Sequence, residues 1–176
     1  MKTKLLMALL LALVMLASIV ALDQALCKSE QKILATASLR FPTVSQPERT
    51  INTNGGIRHV FGVQKTFGVV LTLDEQFDGQ TTFTGDVVVV LDFTTNFKTG
   101  ETVYHSTYLV WTFQGGGSFE GMMQARQRIE INNPSGIYEE SVMLQGLGIF
   151  KGCTLKLSQT NNQPYTGLLL VSASAY

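Results

Sequence analysis

The sequence predicts an all-β domain, and three observations carry that expectation. Apolar and polar residues alternate from Ile57 onward, Val, Thr, Phe and Tyr dominate those stretches, and short turn-forming clusters separate them. Strands joined by short connections pair antiparallel. About seven or eight of them, with no room for crossover helices, close as a barrel or stack as a sandwich. The 176 residues balance 13 Lys and Arg against 13 Asp and Glu without a run of like charge, so neither nucleic acid nor an anionic membrane surface is an expected partner.

Residues 1–22 are read apart from the fold. Lys2 and Lys4 precede an acid-free apolar run from Leu5 to Leu22, the charge-then-apolar order of a secretory signal, and Ala21 offers a small residue for cleavage. Uncleaved, the run would make a helix of about 27 Å, just long enough to anchor the chain in a bilayer. The expected location is therefore secreted, periplasmic or cell-surface, with anchoring through an uncleaved N-terminal helix as the alternative. Membrane contact is expected only through this segment. Leu26 before Cys27 argues against lipidation.

Residues 23–56 read as a lead-in and an irregular loop. Leu26, Ile33 and Leu34 suit either a helical turn or an extended strand, and Pro42, Pro47 and Gly55-Gly56 mark the loop. Residues 57–176 hold the β domain. Phe61, Val63, Phe67, Val69, Leu71 and Leu73 share one parity, as in one long strand or two joined near Gly68. Val87 to Leu91 is continuously apolar between Asp86 and Asp92, as in a strand covered on both faces, and Val103 to Phe113 follows. Phe119, Met123, Ala125, Ile129 and Ile131 oppose Glu120, Gln124, Arg126, Arg128 and Glu130. Val142 to Leu157 reads as a strand bent at its glycines, and Gly167 to Ser172 as the last strand. Turn chemistry separates these runs at Asn54-Gly55-Gly56, Asp78-Gly79, Lys98-Thr99-Gly100, Asn133-Pro134-Ser135-Gly136 and Asn161-Asn162-Gln163-Pro164.

The most specific feature is a duplicated phrase. Gln114 to Gly121 and Gln145 to Gly152 both read Q-G-x-G-x-F-x-G, with shorter echoes at Phe83-Thr84-Gly85 and Tyr165-Thr166-Gly167. Glycines in strands permit sharp coiling or close packing of a ring, as barrel closure requires. A phosphate cradle needs a helix after the glycines, whereas here the following residues alternate with period two. The pattern resembles the allene oxide cyclase and dirigent-like β-barrels, whose later strands open with similar G-x-G-x-F-x-G phrases, over roughly Ile57 to Ala175. That resemblance implies a single antiparallel eight-stranded β-barrel with an apolar cavity, often in a dimer or trimer. Different members use it to cyclise a reactive oxylipin, orient the radical coupling of phenols or fold polyketides. No catalytic residue transfers by motif. The early Gly-x-Trp signature of lipocalins is missing, since Trp111 lies far downstream.

For chemistry, His105 shares parity with Leu109, Trp111 and Phe113 and is a candidate acid or base inside a barrel, and Glu120 is the second candidate. Tyr104, Tyr108, Trp111 and Met123 are candidate ligand-lining residues, although Tyr104 and Tyr108 oppose the Trp111 parity. Lys65 lies on the parity of Phe61 and Phe67, and a bulge near Gly62 or Gly68 is expected to turn it to the surface. His59 and His105 are too isolated for a metal site, and no motif implies a cofactor. Cys27 and Cys153 would either form one bridge or leave Cys153 as a buried hydrophobe. The leading expectation is a barrel binding a small hydrophobic or aromatic molecule. The alternatives are a cyclase or coupling-director enzyme that confines a reactive substrate, and a solid, non-catalytic interaction module; a homo-oligomer is compatible with each.

Overall fold

The computed structural model describes residues 30–130, 133–161 and 163–172. The expected signal or anchor segment and Cys27 lie outside the described residues. The strands run in the order β1 (Gln31–Val44), β2 (Arg49–Thr53), β3 (Ile57–Phe77), β4 (Gln80–Asn96), β5 (Glu101–Phe113), β6 (Ser118–Glu130), β7 (Asn133–Leu147), β8 (Cys153–Thr160) and β9 (Tyr165–Val171). One 3-10 turn, Gly148–Phe150, joins β7 to β8. Each strand from β3 to β9 pairs antiparallel with the next, and β1 pairs with both β9 and β3, which closes the ring. The fold is an all-β, antiparallel, eight-stranded barrel. The additional strand, β2, pairs with the first residues of β3, on the edge that β1 leaves at Val44.

Several strand boundaries differ from the sequence reading, and Asn133-Pro134-Ser135-Gly136, read as a turn, opens β7. β1 runs through Pro42 to Val44, because the β1–β3 register slips between Arg40 and Thr43 and the ladder makes no demand on the missing proline N–H there. The stretch from Val142 to Leu157 is two strands, not one bent strand, since Gly148–Phe150 turns the chain back. In the Val87–Leu91 run, Val87, Val89 and Leu91 are buried inside the barrel, whereas Val88 and Val90 are half-buried on the outside. On the outer face Glu120, Arg126, Arg128 and Lys156 are exposed, and among them stand the exposed apolar residues Leu34, Met122 and Met143.

The duplicated phrases now have a physical reason. At Gly85 an added Cβ would stand 1.9 Å from the Thr112 carbonyl oxygen, and at Gly121 it would stand 2.2 Å from that of Met143. The strands curl so sharply at these inward positions that the neighbouring backbone occupies the side-chain space. Between β7 and β8, the second phrase places Phe150 on the 3-10 turn. There its ring centroid lies 4.5 Å from that of Phe119, 5.0 Å from Phe83, 5.4 Å from Phe77 and 5.7 Å from Phe113. These residues come from the ends of β3 and β5, the starts of β4 and β6 and the β7–β8 turn, so they floor one end of the barrel.

Gly85→Ala is expected to destabilise the protein by about 2 kcal/mol, because the backbone must move to admit the methyl group. Gly68→Ala should instead be neutral or stabilising by up to ~1 kcal/mol, since its nearest neighbour is the Arg40 Cβ at 4.0 Å. Phe150→Ala should cost about 3–5 kcal/mol. Urea unfolding of the purified variants checks the signs and the order.

Candidate functional site

Above the phenylalanine floor the inward residues become small. Ala37, Val87, Val89, Leu91, Leu109 and Val142 surround a cavity of about 690 Å³ that continues to Asn161, Gln163 and Pro164 at the opposite, solvent-facing end. An eight-stranded barrel is just wide enough to be filled by side chains or to hold one small ligand, and here the small residues leave the space.

Polar groups converge at the mouth end of this cavity. Glu140, on the inward face of β7, is only 7% exposed. Its carboxylate accepts hydrogen bonds from the Tyr138 hydroxyl, the Tyr165 hydroxyl and, at 2.9 Å, the Gln159 amide. β7 supplies Tyr138 two residues before Glu140 on the same face, and β8 places Gln159 directly across from Glu140. A buried carboxylate is costly unless paired or fully hydrogen-bonded, and these three donors meet that requirement. Tyr104 lies near Tyr138, with ring centroids 6.3 Å apart, and its hydroxyl donates to Gln127 Oε1 at 3.1 Å.

Burial, and then the Glu140 charge beside each ring, holds the Tyr138 and Tyr165 hydroxyls well above the ordinary tyrosine range. Burial also raises Tyr104, partly offset by its hydrogen bond with Thr102. Deeper on the wall, Trp111 is 1% exposed and packs edge-on to Tyr165 with centroids 6.3 Å apart. Its indole N–H has no hydrogen-bond acceptor among the described residues.

Of the residues singled out from sequence, Tyr104, Trp111 and Met123 line the cavity together. Tyr108 stands on the outside of the wall, 52% exposed. His105 is also outside, with Nε2 4.0 Å from Asp92 Oδ2, and Glu120 is exposed on the outer face of β6. One residue explains the inverted face. Thr107 is an extra residue in β5, because Val90 pairs with Tyr108 whereas Leu91 pairs with Ser106. Ser106 Oγ accepts the Met123 backbone N–H at 2.7 Å where the β5–β6 ladder is broken. Inward positions are therefore even before the bulge and odd after it, which brings Tyr104 in and sends His105 out.

A second bulge, at Gly62, has its N–H bonded to Asp92 Oδ1 at 2.9 Å and puts Phe61 outside, its parity to Val63 notwithstanding. Lys65, expected at the surface, follows that bulge and lines the cavity. Glu140 and Gln159 were not singled out. The signal was present, since each is a polar residue on the parity of an apolar face, Glu140 with Val142 and Leu144, Gln159 with Leu155 and Leu157. Of the pair considered for a bridge, Cys27 lies outside the described residues. Cys153 is a free thiol buried on the inner face of β8, its pKa pushed up to about 11 by that burial.

No protein family, curated protein or solved structure matches the chain. The eight-stranded barrel is the part of the resemblance to allene oxide cyclase and dirigent-like proteins that the structure displays; the family itself is not shown.

These raised values fix a sign for alkaline pH. The folded state retains protons on Cys153, Tyr104, Tyr138 and Tyr165 that the unfolded chain releases near 9.0 and 10.0, so stability falls as pH rises through those values. Melting temperature should therefore drop between about pH 8.5 and 11. Tyrosinate absorbance should show three of the 5 tyrosines silent until the barrel opens; an early titration of all of them would contradict the buried cluster.

Proposed function

We propose that this barrel binds one small, largely apolar molecule in its cavity, with the molecule's polar end at the mouth. The observation that carries the reading is the combination of a space of about 690 Å³, walled in part by apolar side chains, with a few convergent polar groups around a buried carboxylate. That volume and that mixture are typical of ligand sites, and a solid interaction module has no use for either. Export through residues 1–22 belongs to the same proposal, and places the ligand outside the cytoplasm.

A catalytic reading is favoured by one specific feature. Glu140 with the Tyr138 and Tyr165 hydroxyls forms a set of groups able to hold or move a proton beside a confined substrate, as a cyclase or coupling director of the resembled family requires. Protein-dependent uptake of solvent deuterium by a bound cyclic ketone, lost in Glu140→Gln, is its test.

For binding, Trp111 is a built-in reporter, because it is the single tryptophan and lines the cavity. The neutral dye N-phenyl-1-naphthylamine is expected to bind the purified protein saturably at one per chain and to quench Trp111 emission. Val89→Phe, which fills the cavity, should weaken this by about tenfold or more while keeping the barrel folded by circular dichroism. Absence of saturable binding would overturn the proposal.

A further inference from the structure

The cation in the cavity lining has no partner of its own among the described residues, and its charge narrows the ligand class. This inference rests on the cavity-binding reading above. Lys65 is the cation among the lining residues and Glu140 the acid. Glu140 is taken up by Tyr138, Tyr165 and Gln159 and forms no ion pair with Lys65. Lys65 itself has no hydrogen-bond or ion-pair partner among the described residues.

The position of Lys65 is set by the ladder. It pairs with Val44 on β1 and Val89 on β4, and Val89 pairs in turn with Leu109 on β5, so the ammonium stem rises from an apolar row of the inner wall. The next row inward holds Phe67, Val87 and Trp111. The indole N–H of Trp111 is the buried side-chain polar atom left without a partner among the described residues. Glu140 stands on β7, several strands away, and is engaged by its three donors, as Gln127 Oε1 is by Tyr104.

We propose that the cavity selects organic anions, molecules with an apolar body and a carboxylate or comparable anionic oxygen, and that Lys65 is the residue that reads the charge. The apolar body lies against Val87, Val89, Leu109 and Met123, and the anionic oxygen meets the Lys65 ammonium. An ion pair formed where the ligand displaces water is several-fold stronger than the same pair in bulk solvent. An unpaired ammonium in the cavity wall penalises occupants that bring no acceptor. A neutral analogue therefore binds less well, and a cation is repelled by Lys65.

The test compares three ligands of one chain length, decanoate, decanol and decylammonium, each below its micelle concentration, by calorimetry and Trp111 fluorescence on the purified full-length chain. The expected order is decanoate first, by about tenfold over decanol, and decylammonium last. Lys65→Met, which keeps the apolar stem, should bring decanoate to within about twofold of decanol, and Lys65→Arg should keep the preference. The ranking in the unmodified protein requires no variant to fold. Val89→Phe provides the blocked-cavity control. If none of the three ligands binds in a Val89-sensitive manner, the cavity-binding reading falls and this inference with it. If decanoate and decanol bind equally, if decylammonium binds best, or if Lys65→Met leaves the preference intact, the anion inference is overturned while the cavity reading stands.

Discussion

The close approach of neighbouring backbones at inward-facing glycines is the constraint on which the rest of this barrel depends. Closing eight strands into so narrow a ring forces each to coil, and at Gly85 and Gly121 the adjacent strand's carbonyl stands where a side chain would begin. An ordinary residue there would push the strands apart and open the ring. Closure in turn fixes which side chains face inward, and so determines that a floor and a cavity exist at all.

The two ends of the barrel are chemically unlike because of what the inward positions carry. At the floor, large rings from separate strands meet around Phe150, edge-on and tilted, and exclude space and water. Toward the other end Ala37, Val87, Val89, Leu91, Leu109 and Val142 stand between the larger rings and leave a space across the ring. The hollow ends at Glu140, held by two tyrosines and a glutamine, and Lys65 lines the same hollow from β3. The arrangement therefore places its polar groups where solvent and a ligand would enter, and keeps the closed end dry.

Much of this was legible from the chain. The alternation of Phe119, Met123 and Ala125 against Glu120, Gln124 and Arg126 survives unchanged as the inside and outside of β6. The glycine-aromatic phrases were read as devices for curling strands, and Gly85 and Gly121 do sit where the neighbouring strand's backbone takes the side-chain space. What failed was the extension of one parity along a whole strand. Thr107 and Gly62 each insert a residue, and beyond each insertion every side chain changes face. His105 was thereby taken for an interior group, and Tyr104, although named as a lining residue, was set on the parity opposite Trp111. A bulge leaves little trace in composition; it is decided by whether partners such as Asp92 and Ser106 can satisfy the freed backbone groups.

The sequence by itself determined the class of the fold and several turns between strands, among them Asp78-Gly79 and Lys98-Thr99-Gly100. These depend on periodicity and backbone sterics, which act over a few residues. The tertiary structure alone decided the identity of the site. Glu140, Gln159 and Tyr165 come from successive strands, whereas Lys65, Trp111 and Tyr104 come from distant parts of the chain. They face one space only because the ring closes in this register and the two bulges reverse the faces of β3 and β5.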